Sequence, residues 1–391
     1  MTAEMGKPIS EAEAEVEKCA WNLDYYAENA ESHLKPRTRT SNASESYTQC
    51  TPLGVILAVM PWNYPLWQVF RFAAPALMAG NTAILKHASN VPQCALGIEE
   101  IFREAGLPEG VFQTVLVPGS EVKRIIEHPT IKAVTLTGSE QAGSIVASEA
   151  GKMLKKTVME LGGSDPFIIL EDADLDLAVK AGVQARFQNT GQSCIAAKRF
   201  IVVESIFDRY LERFIEEVQA LKIGNPVDPE IKIGPLARPE FVKELDRQVR
   251  DSVAMGARIL TGGQPRKGKG YFYQPTVLSS VKPEMPAGSE ELFGPVAAMM
   301  RAKDAADAVG LANRTSYGLG ASIWTADVAA AKLLAKEIEA GQVFINGIVA
   351  SDPRLPFGGI KKSGYGRELS ELGIREFVNF QTVWVGPAVK S

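Results

Sequence analysis

"GVILAVMP", residues 54–61, is followed by "YPLWQVFRFAAPALMAG" and then by "NTAILKHA". The first and last are short apolar runs. The segment between them has helical spacing and closes at Gly80, so the three read as strand, helix, strand. The same rhythm continues downstream. "VPQCALGIEEIFREAGLP" reads as a helix, "VFQTVLVPG" and "IKAVTLTGS" as strands, "EQAGSIVASEAGKML" as a helix and "KTVMELGG" as a strand. Continuous apolar strands joined by helical crossovers call for a parallel sheet covered on its faces, so the fold class is α/β. A second alternating block begins at "DPFIIL" and continues through "KRFIVVES" and helices to Ala220. The loop-rich stretch 223–240 follows, then a further helix and strand.

Upstream, residues 8–35 read as a helix after Pro8, with Ser10 as its N-cap. "KPRTRTSNASESYTQCTP" (35–52) is polar and alternating, an exposed hairpin. At the other end "REFVNFQTVWVG" (375–386) reads as a strand, either a sheet edge or an oligomer contact.

A chain of 391 residues is too long for one ordinary core, so two or more domains are expected. The formal net charge of −4 argues against nucleic acid as a partner. Four cysteines are scattered without metal spacing, which fits a reducing cytoplasmic setting, and no metal site is expected. No apolar run is long enough for a membrane span, and the acidic N-terminus does not read as a signal peptide.

Four stretches carry chemistry. "NTGQSCIAAKR" (189–199) sets Cys194 among Gly191, Gln192 and Ser193, where a buried structural cysteine would have Leu or Val. "CIAAK" can begin a helix whose N–H groups face the sulfur. "ELGGSDP" (160–166) places Glu160 where a strand terminates, either a general base or a solvated carboxylate. "TLTGSEQAG" (135–143) runs from strand through Gly138 and Ser139 into a helix that can hold a pyrophosphate, though the spacing matches neither common phosphate-binding fingerprint. "MPWNYP" (60–65) holds Trp62 and Asn63 between prolines, which aims the Asn63 amide at an oxyanion or makes a plain turn.

"PWNYP", "ILKHA", "TGSEQAG", "ELGGSDP", "NTGQSC", "EELFGP" and "PFGGIKKSGYGRE", in this order, resemble the aldehyde dehydrogenase superfamily. The likeness spans about residues 5–385 and is closest to the succinate-semialdehyde dehydrogenases. It implies a Rossmann-like dinucleotide-binding domain (1–35 and 52–161), an α/β catalytic domain (162–375) and a small β bridging or oligomerisation arm (36–51 and 376–391). Chains of that superfamily usually carry a further segment ahead of "EMGKPI", which includes the first strands of the cofactor domain. The resemblance makes Cys194 the nucleophile that forms a thiohemiacetal and then a thioester, and Glu160 the base that activates water. The Asn63 amide and the Cys194 N–H become the oxyanion hole.

The resemblance also assigns cofactor contacts to Trp62, Lys86, Ser89, Gly138, Ser139, Leu161, Glu291 and Phe293. NAD-preferring members often carry a glutamate at the position of Ser89, so the cofactor is NADP or NAD, with NADP favoured. For the substrate, Arg71 and Ser351 match residues that hold the far carboxylate of succinic semialdehyde. Gln188 stands where a second arginine is expected and supplies no charge. Arg354 nearby is one residue that can replace it. A homodimer or homotetramer acting on a small aldehyde is implied, with no nucleic-acid or membrane partner. Rival readings are a broad-specificity aldehyde dehydrogenase, a coenzyme A-acylating relative, a cysteine hydrolase and a non-catalytic binding protein. Glu160 counts against the acylating relative. The hydrolase needs a histidine partner, and none of the three histidines sits in a glycine-framed strand end.

Overall fold

The computed structural model describes residues 1–386 of the chain. Contacts divide it into two compact units. One comprises 15–160, 351–357 and 366 onward; the other comprises 1–14, 161–350 and 358–365. These bounds put residues 1–14 and 15–35 in different units, where the sequence reading kept them in one domain.

In the first unit the polar hairpin pairs strand β1 (Arg37–Thr38) antiparallel to β2 (Glu45–Pro52). The C-terminal strand Val378–Val385 lies antiparallel along the whole of β2, from Val378 opposite Pro52 to Val385 opposite Glu45. Residues 387–391 of the expected arm lie outside the described residues. Next come the parallel strands β3 (Val55–Met60), β4 (Thr82–His87), β5 (Phe112–Thr114), β6 (Ile131–Thr137) and β7 (Lys156–Glu160). Their order across the sheet is β7-β6-β3-β4-β5. The chain therefore winds one way from β3 and then returns to start again at β6. That reversal point, beyond the carboxyl ends of the strands, is where open α/β sheets bind ligands.

Local chemistry sets these elements. Ile56, Leu57 and Ala58 are wholly buried, which requires helices on both faces of β3. The helix Trp67–Met78 stops at Gly80, whose φ of 87° is a left-handed value that glycine adopts without strain. Asn81 then ties two strand starts together: its Oδ1 accepts the amides of Leu53 and Gly54 at 2.9 and 3.0 Å. The helix Val122–Glu127 was not foreseen, because its six residues are too few to establish a period.

The other unit carries a seven-stranded sheet. Its order is Arg258–Thr261, Thr276–Ser279, Val296–Ala302, Ala197–Val203, Asp165–Ile169, Gly320–Trp324 and Gln342–Ile345. All neighbouring pairs are parallel except the first.

Two sequence expectations are corrected. The N-terminal helix runs Ile9–Leu34, and the Pro8 carbonyl accepts the Ala12 amide, so Ser10 lies inside the first turn and does not cap it. The residues after Cys194 form no helix: Cys194 and Ile195 are in a turn, and Ala197–Val203 is a fully buried strand. Sheet pairing of Ala197 with Asp165, and of Arg199 with Pro166 and Ala298, overrides the local helical tendency of "CIAAK".

Arg199 anchors that strand. Its guanidinium is fully buried and donates to the carbonyls of Ser164 (2.8 Å), Leu311 (2.9 Å) and Ala312 (2.9 Å). Arg199→Ala leaves three carbonyls without that donor and opens a cavity. We expect a loss of about 3 kcal/mol or more, measured by denaturant unfolding.

Candidate functional site

The sequence-derived candidates fall into two sets, one in each unit. In the unit holding 161–350, Cys194 is half-buried at the end of a tightly held loop. Asn189, Thr190 and Gly191 have φ values of 51°, 55° and 74°, three successive left-handed residues. For a β-branched threonine this conformation costs about 1–3 kcal/mol, so the surroundings must enforce it. They do so through hydrogen bonds. The Thr190 hydroxyl accepts the Gly234 amide at 3.0 Å, and Gln192 Oε1 accepts the Ala237 amide at 3.0 Å. The amide of Asn189 donates to Glu11 at 2.5 Å, and the Arg186 guanidinium donates to the Gly191 carbonyl at 2.6 Å.

On the far side of the sulfur, Lys198 reaches back. Its Nζ donates to the carbonyls of Ser193 (2.8 Å), Cys194 (2.7 Å) and Ala196 (3.3 Å). The same nitrogen lies 3.6 Å from Glu291 Oε1, which also accepts the Gly163 amide at 3.0 Å. Burial pushes the Lys198 pKa down and that of Glu291 up, while each charge favours the other. Arg186 is wholly buried, and its pKa is drawn down to about 9 by desolvation. Neither Lys198 nor Arg186 was singled out from sequence. A basic residue four places after a cysteine has no signature until a fold turns it inward.

Gln188 begins the short 3-10 turn leading into this loop, and Leu161 is buried, its amide donating to the Ser363 carbonyl at 3.0 Å. Phe293 is half-buried beside fully buried Leu292. The glycines of "ELGG" have a steric reason. A Cβ on Gly163 would lie 2.6 Å from the Cys194 carbonyl oxygen, and one on Gly162 would lie 2.6 Å from Glu291 Oε2.

In the other unit, the candidates gather at the carboxyl edge of the parallel sheet. Trp62 and Asn63 follow β3, Lys86 lies near the end of β4, and Gly138 with Ser139 follows β6. Glu160 is the last residue of β7, opposite Thr137. Asn63 is buried, and its Oδ1 accepts from Gln68 Nε2 at 3.2 Å, which fixes the amide's orientation. Ser139 is exposed and caps the helix Glu140–Lys152, its Oγ accepting the Ala142 amide at 3.2 Å. Ser89 is exposed in the turn after β4.

Glu160 is 2% exposed, and neither carboxylate oxygen has a hydrogen-bond partner among the described residues. Burial raises its pKa well above the usual carboxylate range, and the charge of Glu368 adds to the rise. Arg71 opposes it. That arginine is buried, ion-paired with Glu368, hydrogen-bonded to Thr137 Oγ1 at 3.3 Å, and 4.5 Å from the Phe357 ring centroid. Glu368 was within a quoted motif but had no assigned part. Ser351 is buried and accepts from Lys18 at 2.8 Å. Arg354, expected as a replacement cation, is exposed and paired through two hydrogen bonds with Asp352 (2.9 and 2.6 Å), so its charge is already answered.

Among the described residues, no group of acidic, histidine or cysteine side chains is arranged to hold a metal, and no helix is long and apolar enough to cross a membrane.

Residues 1–383 match the aldehyde dehydrogenase family. A succinate-semialdehyde dehydrogenase [NADP(+)] of Mycobacterium avium is 55% identical over 99% of this chain and 82% of its own. A probable enzyme of the same description from Synechocystis is 55% identical over 98% of this chain and 85% of its own. The crystal structure of succinic semialdehyde dehydrogenase from Streptococcus pyogenes, in complex with NADP+, superposes with a TM-score of 0.96. It is 40% identical and covers 99% of this chain and 85% of its own.

The two glycines beside the thiol separate by what a methyl would strike. At Gly163 it meets backbone, at Gly162 mainly the tip of a carboxylate. Gly163→Ala is expected to lose about 1–3 kcal/mol in denaturant unfolding, and Gly162→Ala less.

Proposed function

The chain belongs to the aldehyde dehydrogenase family, and from that premise we propose that it oxidises succinic semialdehyde to succinate with NADP, through Cys194 and Glu160. The observation that carries the chemistry is the Cys194 loop: a half-exposed thiol on strained backbone, held from one side by Arg186 and from the other by Lys198. The substrate and cofactor follow the named activity of the relatives at 55% identity.

The residues at the carboxyl edge of the parallel sheet suit a phosphorylated dinucleotide. The helix Glu140–Lys152 directs its N-terminus to the reversal point of the sheet, where Lys86 adds a positive charge. Ser89 offers a hydroxyl where a carboxylate would repel a 2′-phosphate. Trp62, Gly138, Ser139 and Leu161 are assigned to the cofactor's flanks, and Glu291 and Phe293 to its nicotinamide end. When bound, the cofactor accepts a hydride.

The Cys194 sulfur attacks the aldehyde carbon and forms a thiohemiacetal, whose oxyanion is held by the Asn63 amide and the Cys194 N–H. Loss of hydride from that carbon leaves a thioester. Glu160 then takes a proton from water, the water oxygen attacks the thioester carbon, and the carbon–sulfur bond breaks to give the carboxylate and the thiol. Lys198 and Arg186 fix the loop throughout. Glu160 is poised as a base because it is desolvated and lacks a hydrogen bond to its carboxylate. The unit containing β3–β7 is assigned to the cofactor and the unit containing Cys194 to catalysis. The strand Val378–Val385, with Phe380 and Trp384 each 53% exposed, is the assigned contact for a dimer or tetramer in the cytoplasm.

Steady-state rates with succinic semialdehyde and butanal, each with NADP and NAD, test the reading. Preference for the carboxylated aldehyde and for NADP is expected, and equal use of both aldehydes overturns the substrate assignment. Glu160→Gln should form one NADPH per subunit in a burst and then turn over about 100-fold or more slower than the parent.

The pH dependence has a definite sign. The base form of Glu160 is populated only above its raised pKa, so the hydrolytic step quickens as pH rises. Glu368→Gln removes a repelling charge and frees Arg71 to favour the Glu160 carboxylate. The acid limb of the rate profile should therefore move to lower pH; an unchanged limb would refute the coupling.

A further inference from the structure

Three cations in the first unit differ in what answers their charge. Arg71 is ion-paired with Glu368, and Arg354 is paired with Asp352. Lys18 has no such partner among the described residues. Its Nζ donates to Ser351 Oγ at 2.8 Å and lies 4.5 Å from the centroid of the Trp67 ring. Three groups are near enough to favour its charge, Asp352, Cys19 and Glu15. Asp352 is taken up by Arg354, and Glu15 Oε1 accepts the amides of Leu66 and Trp67, each at 2.9 Å. Burial, helped by repulsion from Arg71, draws the Lys18 pKa down to about 8.

A half-buried cation without an ion-paired partner is costly, and an anion that reaches it recovers that cost. The geometry selects the kind of anion. Ser351 Oγ already accepts from Lys18, so its own proton is available for another acceptor. A carboxylate can take the Ser351 proton on one oxygen and a Lys18 proton on the other. Trp67 is itself buried and is next in the chain to Gln68, which orients the Asn63 amide.

We propose that Lys18, together with Ser351, binds the far carboxylate of the semialdehyde and supplies the positive charge that Gln188 does not. This rests on the substrate reading above and changes its emphasis: Arg71, neutralised by Glu368, contributes to the surroundings of Glu160, and Lys18 carries recognition.

The test compares kcat/KM for succinic semialdehyde and for butanal in the parent enzyme, Lys18→Met and Lys18→Arg. Methionine keeps the length and apolar stem of the side chain, so the buried volume is conserved. The ratio of the two kcat/KM values should fall at least about tenfold in Lys18→Met, mainly through KM for the semialdehyde, with partial recovery in Lys18→Arg. A Lys18→Met enzyme that loses both activities in equal proportion, or keeps the parent ratio, overturns the assignment. A parent enzyme indifferent to the carboxylate sinks the substrate reading and this assignment with it.

Discussion

Lys198 sets the backbone geometry around Cys194. Its ammonium group is fully buried and has its donors directed at three backbone carbonyls within four residues, those of Ser193, Cys194 and Ala196. Those carbonyls can turn inward only because a cation meets them there. With the carbonyls fixed, the Cys194 loop cannot relax into the helix its local sequence favours, and Ala197 enters the sheet directly. The charge of Glu291 opposes the effect of burial on the lysine, and Glu291 also accepts the Gly163 amide, which ties the glycine pair after Glu160 to the same cluster.

The second constraint is the group of buried ionisable side chains in the other unit. Glu160 and Glu368 are both desolvated, which pushes both pKa values up; Arg71 opposes the rise at both, and Arg367 also opposes it at Glu160. Two buried acids facing each other each raise the cost of ionising the other. Once deprotonated, a carboxylate whose pKa is raised in this way is a stronger base toward water than a solvated one. This needs no histidine, so the scarcity of histidine in the composition imposes no limit on the chemistry.

Much of this was legible in advance, and the exceptions have physical causes. The apolar runs of β3, β4, β6 and β7 were readable because strands covered on both faces must be apolar throughout. The polar hairpin announced itself by alternation. Asn63, Gly138 and Glu160 stood out because each closes an apolar run, and in a parallel sheet all such ends share one edge. The helical reading of "CIAAK" failed because register with Asp165 and Ala298 outweighs the local tendency of so short a segment. No pattern in the sequence shows that the charge of Arg71 is met by Glu368, nearly three hundred residues away. Lys18 passed unnoticed for the same reason, as one charge among many on a long helix.

The sequence alone determined the fold class and the place of Asn63, Gly138 and Glu160 at or just beyond strand ends, since periodicity and strand termini are local properties of the chain. Tertiary structure decided the state of each charge. Whether a lysine or arginine is neutralised, exposed or left wanting an anion depends on what burial and distant segments bring against it. Lys198, Arg71 and Lys18 are alike in sequence as single basic residues. Their separate parts follow from three different surroundings: backbone carbonyls, a buried glutamate, and a serine hydroxyl beside an indole ring.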